Sequence, residues 1–200
     1  MYLEKNTGIK YAGTGKTISA VPTYIEPYMG FDGNVIDDAQ DGYDLKLITH
    51  KDVTQTKSRT SGNYWLKALL PENFVLMNSI DAKERGLKDG DEIRISSASN
   101  PAGEWDFGNG HKRAIAGKLK VVEGMRPGVI SFALGFGHWA YGAMDITING
   151  TTILGDARRY EGIHANAAMR TDPLITNTGL FDPVGGSAVF YDTLVKVEKV

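Results

Sequence analysis

"SIDAKERGLKDGDEIRIS", residues 79–96, sets the architecture of the surrounding chain. Asp81 followed by Glu84 three residues later has the form of a capping box, which predicts one helical turn over Ala82–Arg85. Gly86 ends that turn, because glycine enters the left-handed conformation at little cost. Leu87 then falls back toward a core. Asp89–Gly90 is a turn dipeptide. It launches a strand over 91–97, in which Ile93 and Ile95 alternate with polar neighbours. The unit is therefore compact scaffolding: a helical turn, a tight turn and a strand.

Outward from this unit, further strands are expected. Leu45, Leu47 and Thr49 alternate with Lys46, Ile48 and His50. "NFVLMNS" (73–79) is a short strand, "RAIAGKLKVVE" (113–123) a long one, and Val129–Ala133 a fifth that runs into glycines. "SAVFYDTLVKVEKV" closes the chain with another. Several short strands separated by turn signals predict a β barrel or sandwich. Residues 1–42 show no sustained periodicity. They are expected to be an extended arm or interdomain linker, with Pro22 and Pro27 each biasing the residue before it away from helix. The expected body is 43–200. Long connections at 51–72, 98–112 and 134–186 are of a length that is usually functional or disordered.

Composition narrows the class. The 200 residues are 42% hydrophobic and 23% charged, as in an ordinary globular protein. Twenty-two basic and 24 acidic residues give a net charge of −2, which is no footprint for nucleic acid. The absence of cysteine removes disulfides, thiolate metal sites and cysteine nucleophiles together. No apolar run reaches the roughly 18 residues that span a bilayer, so no direct membrane insertion is expected. The N-terminus lacks the layout of a signal peptide.

Individual motifs are weaker. "AGTGKT" (12–17) resembles a phosphate-binding loop, but Lys10 stands where that pattern needs its first glycine, and Pro22 interrupts any following helix. The four histidines, His50, His111, His138 and His164, have no local metal-ligand spacing. His111 is expected to be a solvated hairpin tip. The 49–63 loop mixes hydroxyls with Lys51, Lys57 and Arg59, which suits a phosphate or a polar heterocycle, although a solvated loop has the same composition. Arg158 and Arg159 read equally as an anion clamp or as surface charge. No serine sits in a G-x-S-x-G elbow, so a free-standing hydrolase has no nucleophile to name.

Four segments in order carry a resemblance: 45–66 ("LKLITHKDVTQTKSRTSGNYWL"), 71–97 ("PENFVLMNSIDAKERGLKDGDEIRISS"), 121–139 ("VVEGMRPGVISFALGFGHW") and 178–199 ("TGLFDPVGGSAVFYDTLVKVEK"). Together they resemble the C-terminal domain of the molybdopterin oxidoreductase (dimethyl sulfoxide reductase) family. "GFGHW" and "DPVGG" look most like the catalytic subunits of tetrathionate, thiosulfate or polysulfide reductases.

The resemblance implies a mainly β fold with short helices, a double-psi β barrel. It implies a share in binding bis(molybdopterin guanine dinucleotide) with Mo or W in the full-length enzyme. Thr49, His50 and Lys51 would approach the pterin or phosphate portion, and Ser58, Arg59 and Thr60 would continue that contact. His138, Trp139 and Asn166 would line the buried face. Asn177 competes with Asn166 for the family's asparagine position. The glycines at 135, 137 and 142 would let the backbone approach a ligand. No residue of this chain is assigned to catalysis or to the metal. The implied partners are the remaining domains of the catalytic subunit, together with an iron–sulfur electron-transfer subunit. A sulfur oxyanion is the implied substrate, an extracytoplasmic site the implied location, and no turnover is expected of the chain alone. A barrel of this kind can instead serve as a protein- or peptide-binding adaptor, because fold does not fix function.

Overall fold

Alternation in the sequence becomes a barrel wall in three dimensions. In the computed structural model, β1 (Leu45–His50) buries Leu45, Leu47 and Thr49 and turns the residues between them outward. β2 (Val75–Met77), β3 (Glu92–Ser97), β6 (Ala116–Val121), β7 (Val129–Ala133) and β10 (Thr193–Lys199) complete the ring. Its order, β1-β10-β3-β6-β2-β7, closes on itself. β1 pairs β7 and β2 pairs β6 in parallel, and the other neighbours are antiparallel. This is the double-psi β barrel expected from the sequence. Closure leaves the barrel strands no unpaired edge. Leu47, Val75, Met77, Ile93, Ile95, Leu119, Ile130, Phe132 and Val195 fill the interior.

The structure describes residues 29–107, 110–140, 142–175, 178–181 and 187–200, with Lys10, Thr17 and Tyr24. The phosphate-loop look-alike at 12–17 apart from Thr17, Pro22, Pro27, Asn177 and the "DPVGG" turn at 182–186 lie outside the described residues. Among those described, no helix is long and apolar enough to cross a membrane.

The 79–96 unit folds one cap earlier than expected. α2 runs Ser79–Glu84 and is capped by Asn78, whose side chain accepts from the Ile80 N–H. Asp81 therefore sits inside the helix and makes no capping box. Its buried carboxylate accepts from Gly128 N–H at 2.8 Å, fastening α2 to the turn that enters β7. Asparagine and aspartate cap equally well, and with Asp81 engaged by Gly128 the cap falls to Asn78. Gly86 at φ +66° and Gly90 at φ +83° take the left-handed positions assigned to them, and Leu87 is buried.

The 113–123 strand is divided. β5 (Lys112–Ala114) pairs with β4 (Glu104–Asp106) in a separate hairpin, and buried Ile115 separates it from β6. The long connections carry structure of their own. The 51–72 segment holds a 3-10 turn, Lys57–Thr60, and α1 (Tyr64–Leu69), capped by Asn63. The 134–186 segment holds the hairpin β8 (Ile146–Ile148) and β9 (Thr151–Ile153), with 3-10 turns at Ala157–Tyr160 and Ala165–Ala168. Arg170 ties the chain before β1 to the body through a buried ion pair with Asp38, 2.7 Å long.

Candidate functional site

Parallel pairing decides where a site can form. β1 and β7 run side by side in the same direction, so the segments that follow them leave the barrel at one end. Leu134 N–H donates to His50 carbonyl at 2.8 Å and holds the two exits together. Between these exits lies a cleft of about 350 Å³.

Four stretches line it. Thr49, His50 and Lys51 come from the end of β1, and Lys57 and Ser58 from the following 3-10 turn. Leu134, Gly135, Phe136 and His138 follow β7. His164, Ala165 and Asn166 come from the segment before Arg170, and Phe190 and Tyr191 from the approach to β10. Among these residues there are two lysines and three histidines and no carboxylate. Lys51 and Lys57 carry charge at its mouth with no carboxylate among the described lining residues, an arrangement that favours an anionic occupant.

Of the residues singled out in the sequence, Thr49, His50, Lys51, Ser58, His138 and Asn166 meet at this cleft. Arg59, Thr60 and Trp139 do not line it. Arg59 is exposed, and the Thr60 hydroxyl donates to Gln55 Oε1 at 2.6 Å while accepting from Thr56 N–H, so it braces the turn that presents Ser58. Trp139 lies one layer back, stacked on Phe107 at 4.4 Å between ring centroids. Lys57, His164, Phe190 and Tyr191 are cleft residues that the sequence does not mark as cofactor contacts. Lys57 alone carries a local signal, as a cation between hydroxyls; the others reach the cleft only through tertiary folding.

The glycines also have a role within the fold. Gly135 (φ +99°) and Gly137 (φ +68°) admit the protein's own backbone. A Cβ on Gly135 would meet the Lys57 carbonyl at 2.5 Å, so the absence of a side chain there lets the Lys57–Thr60 turn close on the end of β7. Lys57 itself takes φ +50°, an uncommon conformation for a side-chain-bearing residue and one that clusters at ligand sites.

The histidines differ in their surroundings. His50 Nδ1 lies 2.7 Å from the Ser131 hydroxyl. His138 and His164 meet edge-to-face at 4.7 Å, and Trp105 of β4 packs on His164 at 4.1 Å. His164 Nδ1 is buried and has no hydrogen-bond partner among the described residues. Burial first, and then the neighbouring His138, push the His164 imidazole down to about 4 from the usual 6.5. His138 is lowered as well, by burial and then by Lys67. A folded-state value below the unfolded one means that the unfolded chain takes up the proton first. The stabilising effect is complete above pH 6.5 and is lost as the pH falls toward 4. For His164 the loss is at most about 3 kcal/mol. Urea unfolding at a series of pH values should show it, and His164→Asn should remove its share.

His111 is exposed but not merely solvated, for its ring lies 5.7 Å from that of Trp139. Arg158 and Arg159 form no anion clamp at the cleft. Arg158 pairs with Asp156 at 2.6 Å, and Arg159 donates to the Tyr64 hydroxyl at 2.9 Å.

Residues 45–177 match the molydopterin dinucleotide binding domain model. The chain belongs to that family. The barrel extends beyond the matched span, because β10 (193–199) lies between β1 and β3. A selenate reductase subunit from Mesobacillus selenatarsenatis is 42% identical over 201 residues, which cover all of this chain and 19% of that protein. A tetrathionate reductase subunit from Salmonella typhimurium is 31% identical, covering 96% and 18%. ArrA, the molybdopterin-containing subunit of the arsenate respiratory reductase of a Shewanella species, is also 31% identical, covering 92% and 18%. The chain thus spans about a fifth of the length of these relatives. Acetylene hydratase from Pelobacter acetylenicus shares the fold, with a TM-score of 0.59 at 17% identity over 90% of this chain and 21% of that one. For a molydopterin dinucleotide binding domain, a cleft with no carboxylate among its described lining residues is the chemically suitable feature. The ligand it must accept carries phosphates and a planar heterocycle.

Proposed function

We propose that residues 43–200 grip bis(molybdopterin guanine dinucleotide), with Mo or W, in the catalytic subunit of an oxyanion reductase. Residues 1–42 then form the arm that leads into this domain. The carrying observation is the cleft itself: two lysines, three histidines and no carboxylate among its described lining residues. The residues present fit the group. Lys51, Lys57 and Ser58 offer charge-assisted and hydroxyl donors for phosphate. Thr49, His50, His138 and Asn166 offer hydrogen-bonding edges, and His164, whose buried Nδ1 has no partner among the described residues, adds its ring to the wall. Phe190 and Tyr191, both about half exposed, offer ring faces for a planar heterocycle. Asn177 remains the competing candidate for the asparagine contact.

The cofactor would supply the two-electron chemistry at its metal; the residues here bind, orient and exclude water. A chalcogen oxyanion is the proposed substrate class. Tetrathionate and thiosulfate follow from the motifs, and the selenate reductase similarity adds selenium. The proposed partners are the remaining domains of the catalytic subunit, together with an iron–sulfur subunit.

The test is metal and nucleotide analysis of the full-length subunit purified without oxygen. Molybdenum or tungsten should accompany GMP released on hydrolysis. A Lys51→Ala/Lys57→Ala double variant should hold its cofactor about a hundredfold more weakly, as expected from losing two charge-assisted contacts of about 1.5 kcal/mol each. An unchanged cofactor content in that variant contradicts the reading, as does a wild-type subunit that never carries a pterin.

A further inference from the structure

Among the described residues, Lys67 is a buried charge without a hydrogen-bonded partner. It lies on α1 and is only 5% exposed. Its Nζ stands 5.8 Å from the ring centroid of Phe136, a fully buried residue that lines the cleft. Lys67 itself does not line the cleft, so it stands behind the wall that Phe136 and His138 present. The carboxylates of Glu161 and, less strongly, Asp156 act on its charge, but neither accepts a hydrogen bond from it. Asp156, however, already accepts from the Tyr64 hydroxyl and from Arg158. Burying an ammonium without a hydrogen-bonded partner is costly, and such a group calls for an explanation.

We propose that Lys67 is a positioning residue acting through Phe136 and His138: its buried ammonium charges the back wall of the cleft and selects a ligand that brings negative charge there. The proposal rests on the cofactor reading above and adds a residue to it. A hydrophobic side chain of similar length would suit the folded chain better, because replacing a buried charge by a well-packed apolar group is often stabilising. A lysine here makes physical sense if a further countercharge, beyond Glu161 and Asp156, arrives with the ligand. The same charge disfavours a proton on His138, leaving a neutral ring that can both donate and accept. Among the described residues, Lys67 from α1 acts on His138 through its charge, and His164 from the segment before Arg170 meets its ring.

The test uses Lys67→Met and Lys67→Arg. In the 200-residue chain without cofactor, Lys67→Met should raise the thermal midpoint by several degrees. It should also move the NMR titration of the His138 imidazole upward, and Lys67→Arg should restore the wild-type titration. In the full-length subunit, Lys67→Met should lose cofactor severalfold faster than wild type, with Lys67→Arg rescuing retention. A His138 titration that Lys67→Met leaves in place overturns the proposal. So does a lowered midpoint, which would mean the ammonium is satisfied within the chain, and so does unaltered cofactor retention. If the wild-type subunit binds no pterin while the His138 shift still appears, the charge coupling stands and the cofactor assignment falls.

Discussion

An Asn73→Ala variant is expected to unfold about 10 °C below the wild type and to lose the shape of the cleft. Asn73 is 1% exposed and spends its amide entirely on main chain. Its Nδ2 donates to the carbonyls of Ala133 at 2.7 Å and Ile163 at 3.0 Å, and its Oδ1 accepts from Ile163 N–H at 2.7 Å. One side chain thus joins the end of β7 to the segment carrying His164. Truncation leaves two carbonyls and one N–H buried without partners. Each such group costs about 1–3 kcal/mol, so a total of about 4 kcal/mol is expected. In a domain of this size each kcal/mol shifts the midpoint by about 2–4 °C. Asn73→Asp should be no milder, since a carboxylate has nothing to donate to either carbonyl. Calorimetry on the three proteins decides the matter, and a midpoint within about 2 °C of wild type for Asn73→Ala would refute the role.

Gly137→Ala should be comparably severe for a different reason. At φ +68° an added Cβ already costs about 1 kcal/mol or more. It would also overlap the His164 main-chain nitrogen and approach Ile163 C at 2.7 Å and Gly162 O at 2.8 Å. These are backbone atoms and cannot swing aside, so overpacking adds about 1–3 kcal/mol. His138 and His164 flank this crossing, so the strain falls on the cleft as well as on stability. Gly124→Ala is the control, because its Cβ would meet nothing within 4 Å. A near-neutral Gly124→Ala beside a strongly destabilised Gly137→Ala is the expected pair of results in urea unfolding. Equal effects would contradict the close crossing.

The barrel is legible in the sequence where side chains alternate between inside and outside. Leu45–Leu47–Thr49 and Ile93–Ile95 each announce a wall with one buried face, and the strand expected over Val129–Ala133 matches β7 to the residue. Short elements without a period are not legible. α1 is six residues long and exposes Trp65 and Leu69, so it shows no apolar stripe. β4 pairs with β5 across a turn whose sequence does not reveal where the long strand breaks at Ile115. The cap expected at Asp81 fails because local chemistry alone cannot separate Asn78 from Asp81; the amide of Gly128, 47 residues away, claims Asp81.

The site follows the same division. Thr49, His50, Lys51 and Ser58 belong to one run after β1, and their polar character is visible together. His164, Phe190 and Tyr191 come from segments that reach the cleft only when the barrel closes. Trp139 shares the "GFGHW" motif with His138, but its ring packs on Phe107 rather than facing the cleft. Adjacency in sequence places it near the site without placing it in the wall.

The most direct measurement is a map of the full-length, cofactor-loaded catalytic subunit in which side chains are resolved. Cofactor density should fill the cleft within hydrogen-bonding distance of His50, Ser58, His164 and Asn166, with phosphate near Lys51 or Lys57. A loaded subunit in which protein side chains from another domain plug this cleft, while the cofactor lies elsewhere, would contradict it.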